Sequence, residues 1–587
     1  MKQFFKFMFA SMFGFIIAGV ILLFVIAAMI GGAIQSNQSS DEIVIKEKSI
    51  LYLTLSDEIK DRISQNPFQS LSKGKIDSEK KLNLHHLIRS IKSAASDTKI
   101  AGVFLELDAV NAGTASVLEI RNALVEFKKS KKFVYAYAEV YTQKSYFLAS
   151  VADKVYLNPQ GDMDWKGLSA ELMFFKHTLE KLEVEPQIIR HGKFKSAVEP
   201  FIEDKMSTAN RLQTKTFMSD IWNTMVSAVS AQRNIAPDKL QEIANLHSIQ
   251  SPEDALKLKF VDKLAYRDEV VKELMKLVGK GESTDLSFVK AEKYDATVST
   301  VVTNNKIAVI YAEGDIVSGE GDENSIGSES LAKEISKARK DDHIKAIVLR
   351  VNSPGGSALA SDVIWRETKL ASAQKPFVVS MGDVAASGGY YISCGAQRIF
   401  AEPTTITGSI GVFGLMFNMQ KLLNNKLGIY VDTVKTNTLA DIGSSTRSMT
   451  AQERQIIQNG VERIYTTFIT KVAEGRKMTI AEIDSIGQGR VWSGEDAKTL
   501  GLVDDLGGLD DAINYASKLA KLDKFRVVEF PKEKNFVEQL FNAAEDESES
   551  KILKTHLGNT YPYYKKFKNI MKLKGVQARM EYEVDIY

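Results

Sequence analysis

The chain has 587 residues, a formal net charge of +2, 26% charged residues and 44% hydrophobic residues. That length exceeds a single core and predicts two or more domains. The mixture argues against wholesale disorder, and the near-neutral charge gives no reason to expect nucleic acid. Cys394 is the one cysteine, so no internal disulfide can form, and no Cys/His spacing reads as a metal site.

The first element is apolar. From Phe7 to Ile34 there are 28 residues without a charge, preceded by Lys2 and Lys6 and followed by Asp41 and Glu42. A bilayer-crossing helix needs about 20 such residues, whereas a cleaved signal peptide has an apolar region of about 7–15. The pattern predicts an anchor over residues 1–40, with the N-terminus in the cytoplasm and the bulk of the chain outside. A long signal peptide cut near Gly31-Gly32-Ala33 is the alternative.

Beyond the anchor the chain repeats itself. The strand-like runs 48–55, 99–107 and 152–159 have counterparts at 306–313, 343–351 and 396–403. Late in each half, Pro252-Glu253-Asp254-Ala255 is matched by Gly494-Glu495-Asp496-Ala497. Through the middle the offset stays near 244 residues, as in 343 − 99. Each half alternates short apolar runs with helical segments: helix over 331–339, strand over 346–351, helix over 358–370, strand over 377–380. Such alternation predicts βαβ units, and hence an α/β fold with domains at 41–295 and 300–535. Residues 536–587 read as a charged extension. Between Lys551 and Met580 it has eight Lys or Arg, no acid, and interleaved aromatics. It is read either as facing anionic lipid or as a solvated segment packed on the domain.

Two segments carry candidate chemistry. The strand 348–352 runs into Ser353-Pro354-Gly355-Gly356-Ser357, a turn whose glycines leave backbone N–H groups uncovered and able to hold an oxyanion. A phosphate-binding role is the competing reading, but no Gly-Lys-Ser/Thr ending follows. A second strand, 377–381, leads to Ala385-Ala386-Ser387-Gly388-Gly389-Tyr390, where Ser387 sits among small residues. A serine needs a base to act as nucleophile. No histidine lies between His343 and His556. The candidates come from the other half: His191 and Lys195, which share a face if 187–195 is a strand. Burial of Lys195 lowers its pKa, and a fall from about 10.4 to about 7–8 leaves free amine at neutral pH.

The segments Lys195-Ser196-Ala197-Val198-Glu199-Pro200-Phe201 and Ala385-Ala386-Ser387-Gly388-Gly389-Tyr390-Tyr391 closely resemble the signal peptide peptidase A (protease IV) family in its long tandem form. The likeness covers roughly residues 40–540 and the anchor. It implies two tandem crotonase/Clp-like α/β domains after a transmembrane helix, in a homotetramer of the bacterial inner membrane with its catalytic domains on the periplasmic side. The implied activity is a Ser/Lys endopeptidase that degrades cleaved signal peptides and other apolar peptides without metal or organic cofactor. Residue by residue, it implies Ser387 as nucleophile, Lys195 as general base, Gly355 and Gly388 as oxyanion donors, and Ser409 as a serine that orients the lysine amine. The repeat bears on this: Ser387 falls on Gln143 at an offset of 244, and Lys195 falls on Ala440 at 245. Each half keeps the part that the other lacks. An acyl-CoA enzyme of the same fold and a non-catalytic membrane scaffold are the rival classes.

Overall fold

A computed structural model describes residues 44–62, 82–281, 286–299, 301–322, 324–531 and 575–580, together with helical residues between 3 and 21. The chain forms two compact units, Met1–Glu47 and Lys48–Tyr587. Among the described residues no helix is long and apolar enough to cross a membrane. Positions 22–34 of the expected anchor lie outside the described residues.

Within the larger unit, Ile307 to Ala312 form an uninterrupted buried run, the mark of a strand covered on both faces. Its side chains alternate. Ala308, Ile310 and Ala312 enter one core cluster with Leu331, Ile335 and Ile364. Ile307, Val309 and Tyr311 enter another, with Leu509, Ala512, Ile513 and Ala516. The helices Ser328–Lys340 and Ala358–Ser372 therefore cover one face, and Leu509–Leu519 covers the other.

The two halves build equivalent sheets. In the first, the strands run Phe288–Lys290, Ser49–Leu53, Ile100–Glu106, Phe133–Tyr141, Lys154–Met163 and Lys263–Leu264, all parallel. In the second, Arg526–Phe530, Lys306–Glu313, Ile344–Ser353, Phe377–Ala386, Arg398–Ala401 and Asp505–Leu506 lie in the same order and sense. Each half also has one 26-residue helix, Thr208–Arg233 or Ala451–Arg476, closed by a left-handed residue, Asn234 or Lys477. The chain is thus mixed α/β, and its repeat is structural as well as sequential.

A third sheet joins the halves. Glu185–Arg190 pairs antiparallel with Phe413–Asn418. On that strand's other edge lies Val576–Arg579, which in turn pairs antiparallel with Gly355–Ser357. The end of the chain is expected either against anionic lipid or as a solvated segment packed on the domain. Residues 576–579 do pack on the domain, as an inner strand with both backbone edges paired. Residues 532–574 lie outside the described residues.

Candidate active site

Ser387 ends the strand Phe377–Ala386 and caps the short helix Gly388–Ser393. Its φ of 54° and ψ of −110° are unusual for a residue with a side chain, a strain of about 1–3 kcal/mol that persists only where the surroundings impose it. They do: Ser387 N–H donates to Gly408 O at 2.8 Å, and Tyr391 N–H donates to Ser387 O at 2.8 Å. The hydroxyl itself donates to Gly411 O at 3.3 Å.

Lys195 meets it. The Lys195 amine donates to Ser387 Oγ at 3.1 Å, to Ser409 Oγ at 2.9 Å and to Ser409 O at 3.3 Å. All three residues are 0% exposed. Ser409 also has positive φ, 48°, and its N–H donates to Arg490 O at 2.7 Å. The expected strand over 187–195 stops at Arg190. Lys195 therefore sits on a turn and shares no strand face with His191, because Gly192 turns the backbone at φ 99°. The His191 ring hydrogen-bonds Glu462 at 2.6 Å and stacks on Tyr465 at 3.7 Å.

The lysine turn is held by groups that no motif singles out. Gln213, on the long helix of the first half, donates to Ser196 Oγ at 2.8 Å and to Phe194 O at 3.2 Å. Its side-chain oxygen accepts from Val491 N–H of the second half at 3.2 Å. Phe194 N–H donates to Gln488 O at 3.0 Å. Gly489 has φ +83°, and a β-carbon there would lie 2.6 Å from Lys195 Cβ. Only a glycine admits the lysine so close to this loop.

The Pro-Gly-Gly turn lies alongside. A β-carbon on Gly355 would sit 2.6 Å from Gly388 N, so the two expected oxyanion glycines are neighbours. Gly355 N–H, however, donates to Ser353 Oγ at 3.1 Å, and that hydroxyl donates on to Gly314 O at 2.6 Å. Met580 N–H donates to Pro354 O at 2.6 Å, so by the alternation of an antiparallel ladder the Gly356 amide faces its register partner Ala578.

The halves are locked together behind the site. Arg350 is fully buried and pairs with Asp61 at 2.8 Å and Glu119 at 2.5 Å, both from the first half. Asp383 accepts from Ser116 N–H at 2.9 Å and from Ser116 Oγ at 2.6 Å. His85, His86 and Glu529 also gather between the halves. His85 Nδ1 lies 2.9 Å from Glu529, and His86 Nδ1 lies 3.1 Å from Asp295. Despite its desolvation, His86 is pushed up to about 9 by its bonds to Asp295 and Glu529. These contacts tie the two histidines to carboxylates of both halves.

Comparison with known proteins adds a family. The model of peptidase family S49 matches residues 126–280 and again 369–523. Protease 4 of Salmonella typhi is 42% identical over 455 residues, covering 76% of this chain and 73% of that protein. Protease 4 of Haemophilus influenzae is 38% identical over 453 residues, covering 75% and 73%. The chloroplastic serine protease SPPA of Arabidopsis thaliana is 32% identical over 487 residues, covering 81% and 70%.

Proposed function

The chain belongs to peptidase family S49, in its tandem-repeat form, and from that premise we propose that it is a membrane-anchored serine endopeptidase working through a Ser387/Lys195 dyad. The observation that carries the reading is the 3.1 Å contact between the amine of one half and the hydroxyl of the other. A buried lysine facing neutral oxygens is suited to act as a base, and a serine in a strained turn is suited to present its hydroxyl.

Lys195 takes the proton from Ser387 Oγ as that oxygen attacks a peptide carbonyl. Ser409 orients the amine. Gly388 N–H and, in the Pro354-Gly355-Gly356 turn, Gly356 N–H serve the developing oxyanion, each such donor lowering the barrier by about 3 kcal/mol. The protonated lysine then returns its proton to the leaving amine, and water hydrolyses the acyl-enzyme with Lys195 again as base.

We read the two sheets as crotonase/Clp-like units, the assembly as a homotetramer, and the substrates as released signal peptides and other apolar peptides; the family resemblance supports all three. The uncharged run 7–34 supports a single-pass anchor in the bacterial inner membrane with the catalytic unit on the periplasmic side. Phe7, Phe13, Phe15 and Ile21 are all exposed on the N-terminal helical residues, as lipid-facing side chains are.

The test is hydrolysis of a fluorogenic alanine- and leucine-rich peptide by the full chain in detergent. Ser387→Ala and Lys195→Ala should each lose activity by at least about a thousandfold while keeping the wild-type circular dichroism. A fluorophosphonate should label the wild type and spare Ser387→Ala. Undiminished hydrolysis by either variant refutes the dyad, and a wild type that neither hydrolyses nor labels is a scaffold.

A further inference from the structure

We propose that the chain carries a metal site between its halves: His85 and His86 of the first half and Glu529 of the second bind one Zn²⁺. The inference is independent of the Ser387/Lys195 reading. It gives the ion a structural role, as a clip between the two copies of the fold.

The first argument is convergence. His85 and His86 open the helix Leu84–Ser96, and Glu529 lies on the strand Arg526–Phe530. Their ligand atoms all lie within 4.8 Å of one another. His85 Nδ1 is 2.9 Å and His86 Nε2 is 3.6 Å from the same atom, Glu529 Oε1. Nitrogen and oxygen ligands at about 2.0–2.1 Å from a tetrahedral zinc lie about 3.3 Å apart. The two separations fall on either side of that value, so small side-chain rotations admit the ion.

The second argument is the outer contacts. A zinc-bound histidine usually gives its other ring nitrogen to a carboxylate, which fixes its tautomer and orientation. His86 Nδ1 lies 3.1 Å from Asp295, and His85 Nε2 lies 3.8 Å from Asp510. Each ring thus turns one nitrogen outward to its own carboxylate and the other inward to Glu529. The third ligand is steadied too, because the Tyr311 hydroxyl donates to Glu529 Oε1 at 2.9 Å. So is the helix end, where His86 N–H donates to Asn83 Oδ1 at 2.8 Å.

The third argument is charge. Arg89 pairs with Asp295 at 2.6 Å and Lys92 with Asp510 at 2.5 Å. Among the described residues no Lys or Arg pairs with Glu529, which meets only the two histidines. Neutral rings that donate outward aim two nitrogen lone pairs at this anionic oxygen, and a single cation between them satisfies all three. Two imidazoles and a carboxylate suit zinc, whereas calcium and magnesium take oxygen ligands. The side chains of His86 and Glu529 are 31% and 28% exposed, which gives the ion a path from solvent and leaves its fourth position to water.

His86 and Glu529 are 443 residues apart (529 − 86), so no local spacing announces the site. Its ligands come together only when the halves do. Binding is therefore linked to folding, and zinc should stabilise the joined state by mass action.

Zinc uptake by the untagged full chain in detergent at pH 8, measured by equilibrium dialysis and metal analysis, tests this. The chelator-treated chain, whose histidines keep their carboxylate partners, is the reference. We expect one Zn²⁺ per chain, bound at least about a hundredfold more weakly by His85→Gln and by Glu529→Gln. Asp295→Asn, which removes an outer contact, should weaken it by about ten- to a hundredfold. Each variant should keep the wild-type circular dichroism. Zinc should also raise the urea midpoint of the wild type above that of its chelator-treated form, a readout that needs no variant to fold. Less than one zinc per chain, zinc that His85→Gln and Glu529→Gln hold as tightly as the wild type, or a urea midpoint that zinc leaves unmoved would each overturn the site.

Discussion

Where the second half carries Ser387, the first carries Gln143, and the backbones differ as much as the side chains. Gln143 opens an ordinary helix capped by Thr142, which has φ −66° and accepts from Ser145 N–H. The Gln143 side-chain oxygen accepts from the N–H groups of Lys166 and Gly167, each at 3.0 Å, and its amide donates to Gly167 O at 3.2 Å. Gly167 is the 244-residue counterpart of Gly411 (411 − 167), whose carbonyl accepts from Ser387. The first half has thus filled with a satisfied glutamine the space that the second keeps for a strained serine. Its turn has changed in step: Val110-Asn111-Ala112 stand where Pro354-Gly355-Gly356 bring their glycines to the serine. One copy of the fold supplies the buried lysine, and the other holds the strained serine that it contacts.

The largest effect should come from the charges that bind the copies. Arg350 and its counterpart Glu106 (350 − 244) occupy equivalent strand positions. Arg350 is buried against Asp61 and Glu119, whereas Glu106 meets Arg267 at 2.6 Å in a half-exposed pair. Burial pushes both Asp61 and Glu119 up, and Arg350 opposes it. Arg350→Met removes their counter-charge and should cost about 3–5 kcal/mol in urea unfolding. Glu106→Met should cost about 1 kcal/mol or less. Equal costs for the two would mean that the halves do not depend on this buried network.

Next is the loop that admits the lysine. Gly489→Ala places a carbon 2.6 Å from Lys195 Cβ at a φ of +83°. The lysine turn must retreat, and a shift of about 1 Å at a reacting group costs about a hundredfold in rate. We expect that loss in kcat with the fold retained by circular dichroism. Wild-type kcat would show that the position of the amine is not set by this contact.

How much of this was legible in the sequence depended on whether the signal was local. The strand runs 306–313 and 343–351, and the helices at 331–339 and 358–370, could be read because buried parallel strands are continuously apolar and their helices periodic. The repeat gave the pairing of elements, and motif likeness singled out Ser387, Lys195 and Ser409, which the fold brings together. Gln213 and Gly489 were not legible. Gln213 links the lysine turn to Val491, 278 residues on, and Gly489 lies 294 residues (489 − 195) beyond the lysine it abuts; neither a glutamine on a long helix nor a glycine in a loop advertises such contacts. The Gly355 assignment turned on Ser353, whose hydroxyl takes up that amide at 3.1 Å and leaves Gly356 facing the groove. The tail was the least legible. Its lysines and arginines suggest a surface, while the short run Val576-Gln577-Ala578 is too brief to signal a strand until two edges are seen waiting for it.

A smaller effect is expected from pH. His86 carries a pKa of about 9 in the folded chain through Asp295 and Glu529, against about 6.5 unfolded. A raised histidine pKa stabilises the fold fully below pH 6.5, and the contribution is lost as pH climbs through 9. The ring is about one-third exposed, so screening should limit the change to about 1 kcal/mol. The midpoint in urea should fall between pH 6.5 and 9 in the wild type and stay flatter in His86→Asn. A parallel fall in the variant would place the pH response elsewhere.

The smallest expected effect is none, and it bears most directly on the two halves. Gln143→Ser, introduced into Ser387→Ala, restores the lost residue type at the equivalent position of the first half. It does not restore the backbone: Thr142 keeps its ordinary φ, Val110-Asn111-Ala112 offers no pair of glycines, and the Lys195 amine remains at Ser409 in the second half. A hydroxyl alone is a poor nucleophile, so peptide hydrolysis should stay at the background of Ser387→Ala. Even partial recovery would show that the first half had kept a working site and had lost only its serine. The division of labour between the copies would then be one substitution deep, in contrast to the backbone-level divergence argued from residues 110–112 and 142–143.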